Sequence, residues 1–231
     1  MKCILALHRD LDGDQHREPG AGLRDDLLGP GLRAELAAVG ATRLQVNLDD
    51  AEVADAMRFG PGPRITAVVS VWGGTSPRAV AGVVRRRDAG ADGWSVEERR
   101  PLPGPADADG VRTPALANVA FLRRPGAMTR EAWLADWLDR HTAVAIATQG
   151  TFGYVQNPVL EAITPDAPPV EGIVEELFPM AAMTDGHAFH GSGGDEEELQ
   201  RRFATLMESC SRFGADTGLD LVPTSRYSFT L

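Results

Sequence analysis

The chain has 231 residues, enough for one large domain or two small ones, and its 43% hydrophobic and 24% charged residues are the balance of an ordinary globular protein. A formal net charge of −10 argues against nucleic acid or an anionic membrane surface as the main partner, since both need clustered Lys and Arg. No run approaches the ~20 apolar residues of a membrane span, and the first ten residues lack the apolar length and cleavage site of a signal peptide, so a cytoplasmic location is expected.

Residues 2–9 are mostly apolar and predict a buried first strand; 10–28, rich in Asp, Gly and Arg, predict a loop. Pro30 at a first turn, then Leu32, Leu36 and Val39, predict a short helix that Gly40 stops. Thr42–Leu48 alternates and reads as a half-buried strand, and Ile65–Trp72 as a β-branched one. Ser76-Pro77 opens a helix into Arg85-Arg86-Arg87, and Gly93–Leu102 is a fourth strand. Residues 101–114 hold Pro, Gly and Asp and little that packs, so 103–114 reads as a linker.

The order then repeats: strand 116–123, helix 129–148, strand 151–157, strand 171–178, helix 195–213, strand 219–229. The expected fold class is α+β: two ferredoxin-like β-α-β-β-α-β halves, 1–102 and 115–231, with antiparallel sheets packed face to face as a dimeric-type α+β barrel. Such a chain is a monomer with an internal pseudo-dimer, or a homodimer if each half pairs with its counterpart in another copy.

The best-marked helix starts at Thr129, an N-cap with Glu131 in the first turn, and ends on His141 or beyond. Leu134, Leu138, His141 and Ala145 recur at helical spacing and Trp133 and Trp137 widen the stripe, which sets His141 on or beside the buried face. The run Leu122-Arg-Arg-Pro-Gly-x-Met-Thr-x-Glu-x-Trp133, the Trp137…His141 helix end and Gly172–Phe178 together resemble the EthD family of the dimeric α+β-barrel superfamily, over roughly 115–231. The first half departs from that pattern, having neither Trp nor His in its helix near 30–39, and Met180–Gly194 is longer and more polar than the pattern. The resemblance implies a small ligand in a cavity between sheet and helices, and relatives that include cofactor-free monooxygenases, haem-degrading enzymes, isomerases and cyclases.

Candidate chemistry is sparse. His141 can act as acid or base near neutral pH, or simply cap its helix. Glu175 and Glu176 must point to opposite faces of their strand, so one faces the sheet interior, either as a base of raised pKa or paired with an arginine such as Arg226. Glu175 is taken as that candidate base. Tyr154 and Gln156 share a face and can orient a ligand oxygen or form a plain polar face. His187 and His190 have a metal-like spacing if Asp185 joins, but read better as part of a polar, Gly-rich rim, and no metal site is assigned. Gly191-x-Gly193-Gly194 lacks the Lys of a phosphate loop. Cys3 and Cys210 are expected as reduced, buried thiols.

The expected site therefore has His141, Tyr154 and Glu175 as chemical groups and Phe121, Trp133, Trp137, Phe152, Gln156 and Phe178 as ligand contacts. The ligand is a small hydrophobic, oxygenated molecule. No organic cofactor signature is present, while haem held by a histidine stays open. Enzymatic oxidation or rearrangement and non-catalytic binding, as in a stress-related module, are the two functional alternatives.

Overall fold

A computed structural model of the chain describes residues 1–9 and 22–231. The strands are β1 (Lys2–Leu7), β2 (Ala41–Leu48), β3 (Ala67–Gly73), β4 (Asp92–Val96), β5 (Arg99–Leu102), β6 (Leu116–Leu122), β7 (Gly153–Ala162), β8 (Gly172–Phe178) and β9 (Leu219–Thr230). The helices are α1 (Leu23–Leu28), α2 (Pro30–Ala38), α3 (Pro77–Val84), α4 (Arg130–Leu134), α5 (Thr142–Thr148), α6 (Gly186–His190) and α7 (Glu196–Phe213), with a π-helical turn (Ala135–His141) joining α4 to α5. The loop expected over 10–28 lies outside the described residues up to 21; beyond that, Leu23 and Leu27 sit one turn apart on α1, and both are buried.

The strand order is β4-β1-β3-β2-β9-β6-β8-β7, and a β4–β7 pairing closes it into an eight-stranded antiparallel barrel. This mixed α+β architecture is consistent with a dimeric α+β barrel. Two long strands stitch the halves together. Leu219–Thr224 of β9 pairs with β6 while Ser225–Thr230 pairs with β2. Gly153–Pro158 of β7 pairs with β8 while Val159–Ala162 pairs with β4. The fourth strand expected over 93–102 is split at 97–98 into β4 and β5, both paired to β7.

Closure explains why β1 is buried throughout, as expected, and why β2 is buried over most of its length rather than half-buried: one face meets helices and the other the barrel interior. The interior has two characters. One region is apolar, with Trp94 and Phe121 ring centroids 5.6 Å apart. The other is a polar network. Lys2 Nζ donates to Glu98 and Asn157, each at 2.8 Å, and Glu175 accepts from Gln45 at 2.7 Å and Arg226 at 3.2 Å. Arg226 also donates to Asp107, which ties down the stretch expected to be a loose linker; there Asp109 and Arg112 form bridges to Ser228 and Tyr227 of β9.

Outside the barrel, α1, α2 and α3 cover the first half-sheet. Leu5, Leu7, Leu23, Leu27, Leu32 and Leu36, all fully buried, fill that interface. The second half-sheet is covered by the α4–α5 run, α6 and α7, and its interface is not filled. Thr129 caps α4 by accepting from Ala132 N at 3.2 Å. Thr129→Ala should cost about 1 kcal/mol, read as a melting temperature lower by roughly 2–4 °C.

Candidate functional site

A cavity of about 440 Å³ opens between the outer face of β6–β9 and the second set of helices. That volume lies within the range of small-ligand sites. Its floor is built by strand register: Asn118 of β6 and Tyr154 of β7 both pair with Glu176 of β8, so three polar side chains stand in a row among Ala120, Leu122 and Val174. Its roof is the long helix. Trp133, Trp137, His141 and Ala145 are buried at i,i+4 spacing, and Thr148 is buried at its end. In a plain α-helix of 3.6 residues per turn that line would drift around the axis. The wider π turn brings Trp137 and His141 into line over the cavity, a common placement for such turns.

Each chemical group is set by its neighbours. His141 is 7% exposed, with Nδ1 lying 2.9 Å from Ser209 Oγ and its ring edge-on to Phe213 at 4.8 Å. Burial, aided by the charge of Arg212, pushes its pKa down to about 4, so it is neutral at pH 7. Arg212 donates to Ser209 Oγ at 3.0 Å, which leaves the hydroxyl hydrogen of Ser209 for Nδ1 and favours a proton on Nε2. Burial and the nearby Glu176 raise the Tyr154 hydroxyl well above 10, so it stays protonated. Burial and Glu176 likewise push the Cys210 thiol up to about 12.

Glu176 is different. Burial pushes its carboxyl from 4.5 up to about 7, against a hydrogen bond from Gln149. With the Gln149 amide turned so that its nitrogen faces the carboxylate, that bond is 2.9 Å. Glu176 keeps some accessible surface, but that surface faces the cavity, so the carboxylate is still removed from bulk water. It is the lining group whose pKa is placed near neutrality, as a general base requires.

The structure sorts the expected residues. His141, Tyr154 and Trp137 line the cavity. Trp133 lies one layer back, 5.1 Å from Trp137, its indole N–H donating to Phe213 O at 3.0 Å. Glu175 does not belong to the site: it points into the barrel and is neutralised by Arg226. Phe121 also faces the barrel, against Trp94. Phe152 is 37% exposed and away from the lining. Gln156 donates to Thr142 Oγ1 at 2.9 Å and braces the helix instead. Phe178 backs the rim, stacked on the lining residue Phe189 at 4.6 Å.

The stretch 180–194 is structured, not a polar loop: α6 places His190 in the wall, its Nδ1 3.1 Å from Thr148 O. Among the described residues no group of three or more His, Cys, Asp and Glu is placed to hold a metal ion. Glu176 had been the alternative to Glu175, Cys210 was expected only as a buried thiol, and Asn118 and Gln149 were not anticipated. Neither was a strap from the first half. Residues 54–63 cross to β9, pairing Phe59 with Leu221, and place Met57 and Phe59 at the cavity mouth. Gly62 N donates to Asp220 Oδ1 at 3.0 Å, and a Cβ on Gly60 would fall 2.0 Å from that same oxygen. Gly60→Ala should therefore lift the strap and weaken binding of a cavity ligand several-fold, measured by titration calorimetry, with little loss of fold stability.

No protein-family model matches the chain, and no curated protein matches it by sequence. Solved structures do. A candidate monooxygenase from Lactobacillus acidophilus NCFM is 10% identical, with 99% of this chain and 95% of that one covered at a TM-score of 0.50. An anthrone oxidase-like protein is also 10% identical, covering 99% and 92% at 0.50. At such identity the likeness speaks to fold alone.

Proposed function

We propose that the cavity binds a small, largely apolar, oxygenated molecule and that Glu176 removes or returns a proton on it. The observation that carries this reading is the Asn118–Glu176–Tyr154 row: an apolar cavity whose polar floor centres on a carboxylate held at about 7. In this reading Tyr154 donates to a ligand oxygen, neutral His141 fixes a second polar atom through Nε2, and Trp137 packs on the ligand. Glu176 takes the role the sequence had pointed to in Glu175. Rearrangement then follows from the deprotonated ligand itself, and oxidation follows where dioxygen enters the cavity and takes up its electrons, a chemistry in keeping with monooxygenase-like neighbours.

Within the same reading the halves are ferredoxin-like, each in the order fourth–first–third–second strand, and the second is EthD-like through Trp133, Trp137, His141 and Gly172–Phe178. A single copy closes the barrel, so an internal pseudo-dimer suffices. Haem fits poorly, because its carboxylates would meet Asp185, Asp216 and Glu176 with no Arg or Lys among the lining residues.

Binding without chemistry is the second reading. It is favoured by the neutral state of His141, Tyr154 and Cys210, none of which exchanges a proton near pH 7. Native mass spectrometry of the purified protein, followed by incubation of any co-purified molecule with fresh protein, separates the two. Converted ligand supports catalysis; bound but unchanged ligand supports sequestration; no occupant with any aromatic probe contradicts both.

A further inference from the structure

Resting on that reading of the cavity, we infer that the site selects an uncharged ring compound bearing a hydroxyl group and rejects the carboxylate of the same skeleton. Three observations converge. First, the charged residues lining the cavity are Glu176, Asp185 and Asp216; no lysine or arginine lines it. Two arginines of α7 are engaged by protein groups, Arg212 by Ser209 and Arg202 by Glu198 and His190 O. An anion entering this space would lose its hydration with no lysine or arginine among the lining residues to pair with.

Second, Asn118 is 6% exposed, lines the cavity, and its Oδ1 has no hydrogen-bond partner. A buried acceptor left unpaired is costly, and a hydroxyl from the ligand would satisfy it. Third, Asn118 and Glu176 are register partners on adjacent strands, facing the same way. A ligand hydroxyl placed between them has one hydrogen to give: it goes to the Asn118 amide oxygen, and the Glu176 carboxyl, while it holds its proton, donates to the hydroxyl oxygen in turn. The walls, from Trp137, Phe213, Leu206 and Met207, take the apolar body of the ring.

The test measures binding of 2-naphthol, 2-naphthoate and naphthalene to the full chain at pH 7.5. The expected result is 2-naphthol bound at least tenfold more tightly than 2-naphthoate, with naphthalene between them. Asn118→Leu should weaken 2-naphthol about tenfold and leave naphthalene unchanged. That variant trades an unpaired amide for an apolar group of like size, so the fold is expected to hold. Glu176→Gln should narrow the gap between naphthol and naphthoate. Naphthoate binding as tightly as naphthol, with both bound, overturns the selection while leaving the cavity reading intact. Failure of all three probes to bind overturns the cavity reading and the selection with it.

Discussion

Glu176→Gln should lower turnover of a substrate whose reaction begins with proton loss by about 10²–10⁴-fold, the contribution of a positioned general base. In the native protein the rate should climb as pH rises through about 7 and then level off. In the variant that limb should vanish. Stability should move the other way. The folded chain holds the Glu176 proton more tightly than the unfolded chain does between 4.5 and about 7, so stability is full below 4.5 and falls as pH rises through that window. A displacement of that size is worth at most about 3 kcal/mol. Water in the cavity screens the carboxylate and trims this to roughly 1–2 kcal/mol. Gln carries no such cost, so the variant should melt higher than the native protein at pH 8 and no higher at pH 4.5. His141 has the opposite sign: its lowered pKa gives stability that is present above 6.5 and lost as pH falls towards 4. Paired kcat/KM profiles and thermal melts from pH 4.5 to 8.5 separate the two groups. Unchanged turnover in Glu176→Gln would remove the carboxylate from the mechanism.

Gly172→Ala should lower stability substantially through a clash with the roof of the cavity. A Cβ there would lie 2.4 and 2.5 Å from the Trp137 ring and 3.0 Å from that of Trp133. Both indoles are fully buried, so neither can swing out to water. Overpacking of this kind costs about 3 kcal/mol, or a melting temperature lower by roughly 6–12 °C for a chain of this length. Trp137 has one direction of escape, into the cavity, so the variant should also lose ligand affinity. Adding Trp137→Leu to Gly172→Ala should recover part of the stability, because the clash is then gone. Melts of the single and double variants give the coupling directly, and additive losses would show that the two residues do not press on each other.

The strand and helix order was legible because each element carried its own local mark: Ser76 and Thr129 cap α3 and α4 through their hydroxyls, and Gly40, at φ +83, ends α2. The face each strand presents was harder. Alternation distinguishes inside from outside when one face is wet, and here β8 is covered on both. Ile173 and Leu177 face the barrel while Val174 and Phe178 face the helices, so apolar pattern gave no reason to prefer Glu176 over Glu175. Only the pairing of β8 with β7 settles it, by setting Glu176 opposite Tyr154. The helix stripe was legible in part: Trp133, Trp137, His141 and Ala145 are buried as expected, while the π turn leaves Leu134 and Leu138 only partly buried at its edge. The strap at Met57 and Phe59 is a contact between segments far apart in sequence, and no local pattern marks it.

The central claim is that Glu176 sits in the cavity with its proton held to about pH 7. Carbon-13 NMR titration of side-chain carboxyls, with the Glu176 resonance assigned by Glu176→Gln, measures this directly. The expected result is an inflection near 7 that shifts when 2-naphthol fills the cavity. An inflection near 4.5, unmoved by the probe, would contradict it.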